Sequence, residues 1–129
     1  MASPTTPSAG TNLGMAPNVA GLLCYVPCCL GLVFAIVAAI VEKQSRFVRF
    51  HAFQSLLLNA AGLLIGIGIQ IANVAAAMIG VGLLAVLFWI LGMVVGFGLL
   101  VVSILCMVKA YGNEEYSLPV LGEMAKKWA

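Results

Sequence analysis

Long apolar runs and short charged stretches alternate along the chain. The first apolar run covers residues 20–41, and a longer one covers residues 52–108 without any Asp, Glu, Lys or Arg. Since roughly 20 helical residues cross a hydrocarbon layer of ~30 Å, the first run is long enough for one transmembrane helix and the second for two. The second run is expected to break at residues 78–82, MIGVG, where two glycines can turn the chain.

The pattern therefore predicts an all-α integral membrane protein with three transmembrane helices, at about 20–41, 52–77 and 83–108. Pro27 is expected to kink the first helix or to delay its start. Within the three-span domain 20–110 the helices are joined by short connections. Residues 1–19, rich in Ser, Thr, Pro and Gly and without charge, are predicted to be a disordered tail.

The C-terminal segment 111–129 is predicted to be a cytoplasmic amphipathic tail. A short helix is expected from Pro119, with Leu121, Met124 and Trp128 on one face, lying on the membrane surface. A frayed tail is the alternative, because Gly122 weakens a helix.

Composition agrees with a membrane protein. The chain is 64% hydrophobic and 8% charged, whereas soluble domains are typically about 25% charged. The net charge of +2 gives no support for a nucleic-acid partner. With three spans, all six basic residues face the cytoplasm, which predicts an N-out, C-in protein of the bacterial cytoplasmic membrane.

The charged stretch 42–55, EKQSRFVRFHAFQS, combines basic and aromatic residues and is expected to hold the protein at the membrane surface. Together with the basic and aromatic residues near the C-terminus, the predicted surface-anchoring residues are Lys43, Arg46, Phe47, Arg49, Phe50, Lys109, Lys126, Lys127 and Trp128.

A polar stripe along the second span is the main candidate interface. Its members follow steps of three and four, which places them on one helix face: His51, Ser55, Asn59, Gly62, Gly66, Gln70 and Asn73. Amide side chains facing lipid would lack partners, so the stripe is expected to face protein or water. It either forms hydrogen bonds between helices or lines a polar path or a partner groove.

Each span also carries two small residues four positions apart, as expected where helices pack closely. The first and third spans contribute Gly31, Ala35, Gly92 and Gly96, and the second contributes Gly62 and Gly66.

His51 is the one candidate for ligand chemistry. As the only histidine it could bind haem or a chlorin, although a hydrogen-bonding role is the simpler interpretation. No catalytic motif and no zinc-type cysteine spacing accompanies it, so we expect neither an enzyme nor a metal site.

The sequence RFVRFHAFQS at 46–55 resembles the signature of the small Tic-twenty-like prokaryotic membrane proteins, a family of unknown function. The matching residues are Phe47, Val48, Arg49, His51, Ala52, Gln54 and Ser55. A second, C-terminal pattern of that family is matched by Lys109, Ala110, Gly112, Tyr116, Pro119, Gly122 and Ala125. The resemblance implies a small three-span protein and a distant relation to a component of a plastid protein-import channel.

These observations predict a non-catalytic accessory or scaffold subunit of a larger membrane complex, with the lipid bilayer and other integral subunits as partners. A component of a translocation or transport assembly is the alternative that the resemblance implies. A pigment- or haem-associated subunit, with His51 as the ligand, is the third.

Overall fold

The computed structural model describes residues 11–27 and 29–129, which form five α-helices. They are α1 (Pro17–Leu23), α2 (Cys29–Val41), α3 (Arg46–Met78), α4 (Gly82–Tyr111) and α5 (Leu121–Trp128). Residues 1–10, most of the predicted disordered tail, lie outside the described residues.

The hairpin between α3 and α4 confirms the break predicted at residues 78–82. The N–H groups of Gly80 and Val81 return to the carbonyls of Ala77 and Ala76, and Gly80 has φ +81°, which a residue without Cβ adopts easily. Both helices are long and apolar enough to cross a membrane and extend slightly beyond the predicted limits. The residues of spans two and three therefore form the expected pair of long helices.

The first apolar run does not form the single helix predicted over residues 20–41. α1 has seven residues and α2 has thirteen, so α2 is only about 20 Å long and shorter than a typical span. Pro27 lies between them and cannot donate the backbone hydrogen bond of a continuous helix. The carbonyl of Val26 folds back onto Gly31, where any side chain would collide with it.

Residues 11–16, which precede α1, are tied to the end of α2. The backbone N–H of Asn12 donates to Oε2 of Glu42 at 2.9 Å, and Oδ1 of Asn12 accepts from the N–H groups of Lys43 (2.6 Å) and Gln44 (3.1 Å). This described part of the predicted tail is thus a turn with specific partners.

The chain leaves α4 through a helix cap at Asn113, whose φ is 63°. Asn113 and Glu114 donate to the carbonyls of Ala110 and Lys109, the pattern that commonly ends a helix. A non-helical segment, residues 114–118, then leads to α5. The predicted C-terminal helix is therefore present and begins at Leu121.

The chain divides into two compact units. The first contains the described residues up to Asn59 together with Val102–Ala129, and the second is Ala60–Val101. Ala76 is the one buried residue of the second unit. Among the described residues, the buried polar or charged ones all belong to the first unit, and they are Glu42, His51, Gln54 and Ser55.

Candidate functional site

The buried polar cluster of the first unit is built on the first turns of α3. Ser45 caps this helix, its hydroxyl accepting from the N–H of Val48 at 3.3 Å. Positions 51, 54 and 55 are spaced by three and four, so His51, Gln54 and Ser55 share one helix face. All three are fully buried.

His51 is hydrogen-bonded at both ring nitrogens. Nδ1 lies 2.9 Å from the Tyr25 hydroxyl and Nε2 lies 3.0 Å from the carbonyl oxygen of Glu114. A carbonyl only accepts, so the proton is assigned to Nε2, and in the neutral imidazole Nδ1 then accepts from the Tyr25 hydroxyl. The neutral imidazole therefore satisfies both neighbours.

Gln54 uses all of its polar atoms. Nε2 donates to the Tyr25 hydroxyl (2.8 Å) and to the carbonyl of Tyr116 (2.9 Å), and Oε1 accepts from the N–H of Leu118 (2.9 Å). A single side chain thus holds both the turn after α1 and the segment after α4. Ser55 adds a hydrogen bond from its hydroxyl to the carbonyl of Cys24.

The shared feature of these contacts is that most reach backbone groups outside helices. The Cys24 carbonyl lies in the turn after α1, and the carbonyls of Glu114 and Tyr116 and the N–H of Leu118 lie in the non-helical segment after α4. Backbone groups in such segments are expensive to bury without a partner. In the described part of the chain, no buried side-chain nitrogen or oxygen lacks a partner. The cluster is therefore a complete network that fixes irregular backbone against α3.

Ligand binding by His51 would require one of its hydrogen bonds to break, because neither ring nitrogen is free. The haem or chlorin role stays a prediction. No group of three or more His, Cys, Asp or Glu side chains is placed to hold a metal ion in residues 11–27 and 29–129.

Aromatic rings surround His51 edge-on. The ring centroids of Phe47, Phe50 and Tyr25 lie 4.5, 5.0 and 5.5 Å from that of His51. Phe50 is fully buried and Phe47 half-buried, and a role for either ring at the membrane surface stays a prediction. The place of Phe50 in the helix turns it toward the cluster.

Glu42 forms a second, smaller polar site. Its carboxylate is fully buried and accepts from the N–H groups of Asn12, Gln44 and Ser45. Gln44 and Ser45 lie directly before α3, where a negative charge is favourable. Glu42 thus closes the turn between α2 and α3.

The two arginines at the start of α3 hold the end of α5. Nη2 of Arg46 lies 3.4 Å from the carbonyl of Lys126, and Nη2 of Arg49 lies 3.3 Å from that of Trp128. Nη1 of Arg49 also donates to the carbonyl of Glu42 at 3.0 Å. The last carbonyls of a helix lack internal partners and attract cations, so these arginines do more than face the membrane surface.

The other predicted anchoring residues are placed as follows. Trp128 is about half exposed and packs on Phe53, with ring centroids 6.0 Å apart. Lys109 pairs with Glu114 at 3.2 Å, a partly exposed contact worth little. Three predicted anchoring residues have exposed side chains: Lys43, between α2 and α3, and Lys126 and Lys127, in α5.

The predicted polar stripe on α3 divides between the two units. In the first unit His51 and Ser55 are buried, and Asn59 donates to the carbonyl of Ser55 at 2.8 Å. In the second unit Gln70 is exposed, and Asn73 donates to a carbonyl of α4 at 3.3 Å. The stripe is therefore two features with different surroundings.

The predicted small-residue pairs are only partly used within the chain. Gly31 and Ala35 are buried in α2. A Cβ on Gly62 would lie 2.9 Å from Leu99, and one on Gly92 would lie 3.5 Å from Ile69. Those with nothing within 4 Å of an added Cβ among the described residues are Gly66 and Gly96.

Sequence reasoning missed Tyr25, Gly21 and Asn12, and it did not include Gln54 in the polar stripe. Gly21 lies so close to Phe47 that an added Cβ would be 3.1 Å from its ring. The spacing of Gln54 from His51 was the available signal, since residues three apart share a face. Nothing in the first apolar run signals that Tyr25 turns inward.

The chain belongs to the magnetosome magnetite crystal formation protein family, whose model matches residues 10–125. It is similar to a UPF0132 membrane protein of Methanocaldococcus jannaschii, 34% identical over 119 residues that cover 92% of this chain and 94% of that one. A UPF0132 membrane protein of Archaeoglobus fulgidus is 34% identical over 114 residues, covering 88% and 95%. A second from M. jannaschii is 29% identical over 116 residues, covering 90% and 72%. No solved structure matches.

These comparisons support a small membrane protein. They do not support the Tic-twenty-like identification, because the family that matches has a different name. The relatives above are archaeal, so a bacterial membrane stays a prediction.

Proposed function

We propose that this member of the family is a non-catalytic accessory or scaffold subunit that packs into a larger membrane assembly. The observation that carries the proposal is the uncovered apolar surface of the two long helices. In their most apolar stretches only 11% of α3 and 6% of α4 is buried by the chain itself. Lipid and the helices of other subunits are the natural neighbours of such a surface.

The basic residues favour one orientation for this subunit. Positive residues near membrane helices concentrate on the cytoplasmic side, so the start of α3 and the end of α4 would face the cytoplasm. α5 would lie at the same surface, with its lysines near anionic headgroups.

Gentle solubilisation tests the proposal. An affinity tag before residue 1 avoids α5, and membranes dissolved in a mild detergent should yield a defined oligomer or specific co-purifying membrane proteins. An unrelated two-span protein with the same tag controls for proteins that co-purify nonspecifically. Recovery of a monomer without specific partners, before and after cross-linking in the membrane, would count decisively against it.

A matched pair of variants locates the docking surface. Gly66 has open space around it in the described residues, so Gly66→Leu should leave the fold intact but weaken recovery of the partner by blocking close approach. Ile67→Leu, at the exposed neighbouring position, should leave recovery unchanged. Equal recovery from both variants would exclude this face of α3.

The exposed amide of Gln70 favours a second candidate, a component of a translocation or transport assembly. In lipid that amide would lack partners at considerable cost, whereas a water-filled path would satisfy it. Gln70→Cys should then react with a water-soluble thiol reagent in intact membranes, and Ile71→Cys, at an exposed apolar position, serves as the lipid-facing control. Complete protection of Gln70→Cys would remove this candidate.

A further inference from the structure

The two ends of the α1–α2 segment meet. The N–H of Asn12, before α1, lies 2.9 Å from the carboxylate of Glu42, after α2, and the Asn12 side chain accepts from Lys43 at 2.6 Å. A segment that crossed the hydrocarbon layer once would hold its two ends ~30 Å apart. The chain from Asn12 to Glu42 therefore makes no net crossing.

A separate contact places the start of α1 beside the end of α4. The side-chain amide of Asn18 donates to the carbonyl of Tyr111, the last residue of α4, at 3.1 Å. One turn later, a Cβ on Gly21 would lie 3.3 Å from both Ala110 and His51. α1 thus starts where α3 begins and α4 ends.

The turn between α1 and α2 reaches part of the way along α3. The carbonyl of Cys24 accepts from the hydroxyl of Ser55, which lies about 14 Å along α3 from Arg46 at ~1.5 Å per residue. α3 is longer than a ~30 Å hydrocarbon layer, and Ser55 lies about 5 Å along the helix from residue 52, where the predicted span begins. Irregular backbone at such depth is tolerated where protein covers it, and Cys24 and Tyr25 are both buried.

We infer that residues 17–41 form a re-entrant helical hairpin, which enters and leaves the bilayer on the side where α3 begins and α4 ends. The inference rests on the membrane placement in the proposed function. It replaces the N-out expectation, because residues 11–16 then share a compartment with α5. The protein would present one surface made of residues 11–16, the turn at Glu42 and the C-terminal segment, with two crossings instead of three.

Single-cysteine labelling tests the inference. In a chain whose native cysteines are replaced by alanine, Ala16→Cys, Lys127→Cys and Val81→Cys each provide an exposed position. A membrane-impermeant maleimide is added to intact cells and, separately, to inverted vesicles. We expect Ala16→Cys to label from the same side as Lys127→Cys and from the side opposite to Val81→Cys. Labelling of Ala16→Cys together with Val81→Cys would overturn the hairpin.

Reporter fusions to the chain with its native cysteines give a second measurement. Green fluorescent protein before residue 1 should fluoresce, and alkaline phosphatase there should be inactive, matching fusions after Trp128. Active phosphatase before residue 1 would overturn the hairpin even if the cysteine variants fail to fold. Neither cysteine labelling nor the reporter fusions require a partner protein. Absence of partners would therefore contradict the proposed function without affecting the test of the re-entrant hairpin.

Discussion

The two units of the chain differ in where their polar side chains lie and in what those side chains bind. In the first unit, buried side chains on α3 hold a turn and a C-terminal segment through hydrogen bonds to their backbone. In the second unit, the backbone hydrogen bonds of two apolar helix segments lie within each helix, and most side chains are exposed. A helix needs no outside partner in lipid, whereas irregular backbone does. Polar residues are therefore concentrated where the chain leaves helical structure.

The largest difference between the units is expected from glutamine replacement. Gln54→Leu leaves the N–H of Leu118, the carbonyl of Tyr116 and the hydroxyl of Tyr25 short of a partner. Since each unsatisfied buried group costs ~1–3 kcal/mol, we expect a loss on the order of 3 kcal/mol. The free energy of unfolding, measured by detergent titration in mixed micelles, checks this.

Gln70→Leu is the matched control for that change, because Gln70 is exposed in the second unit. It should alter the free energy of unfolding by no more than about 0.5 kcal/mol. Similar losses in both variants would show that the cluster contributes no special stability.

Glycine replacement should show the next largest contrast. Gly21→Leu forces a side chain against Phe47, His51 and Ala110, whose atoms lie 3.1–3.3 Å from the Cβ position. Overpacking of this kind typically costs about 1–3 kcal/mol. The same titration, with Gly66→Leu as the unhindered control in the second unit, measures it. A Gly21→Leu chain as stable as the control would mean that α1 is loosely held.

A smaller effect, of opposite sign, is expected at Val120. Its φ of 64° is unfavourable for a β-branched residue, and Leu121 donates across it to the carbonyl of Pro119 at 2.6 Å. Val120→Gly should raise the free energy of unfolding by about 1 kcal/mol. Val81→Gly, an exposed valine of the second unit without such a φ, should not be stabilising. If both glycine variants are destabilised alike, the turn stores no strain.

The smallest effect should come from the hydrogen bond of Asn73 in the second unit. Its Nδ2 lies 3.3 Å from the carbonyl of Ala85, and such bonds between membrane helices contribute about 0.6 kcal/mol on average. Asn73→Leu should cost about that amount in the same titration, with Ile71→Leu as a neutral exposed control. A cost as large as that of Gln54→Leu would place a strong polar contact in the second unit as well.

Much of the second unit could be predicted from the sequence. Residues 52–108 carry no charged side chain and are interrupted by glycines at MIGVG, a pattern that predicts a pair of long apolar helices. Its polar members Gln70 and Asn73 were predicted to share one helix face, but their partners were not predicted, since partners depend on the neighbouring helix.

The first unit was predicted less well. Pro27 was recognised as a disturbance of the first helix, yet the fold-back that joins Asn12 to Glu42 depends on contacts far apart in sequence. Phe50 is an aromatic residue of the kind that anchors proteins at membrane surfaces, but its side chain is buried beside His51. Hydrophobicity cannot separate lipid-facing from inward-facing positions, because both are apolar.

Hydrophobic length and charge placement act locally, so the residue pattern alone is enough to indicate a membrane protein, to locate its two long helices and to place its charges near their ends. The roles of the stretch EKQSRFVRFHAFQS depend instead on how the chain folds back on itself. There Glu42, His51, Gln54 and Ser55 turn inward to satisfy backbone groups that no local pattern identifies. The physical reason is that a buried hydrogen bond is specified by both partners, and here the partners lie 30 or more residues apart in most cases.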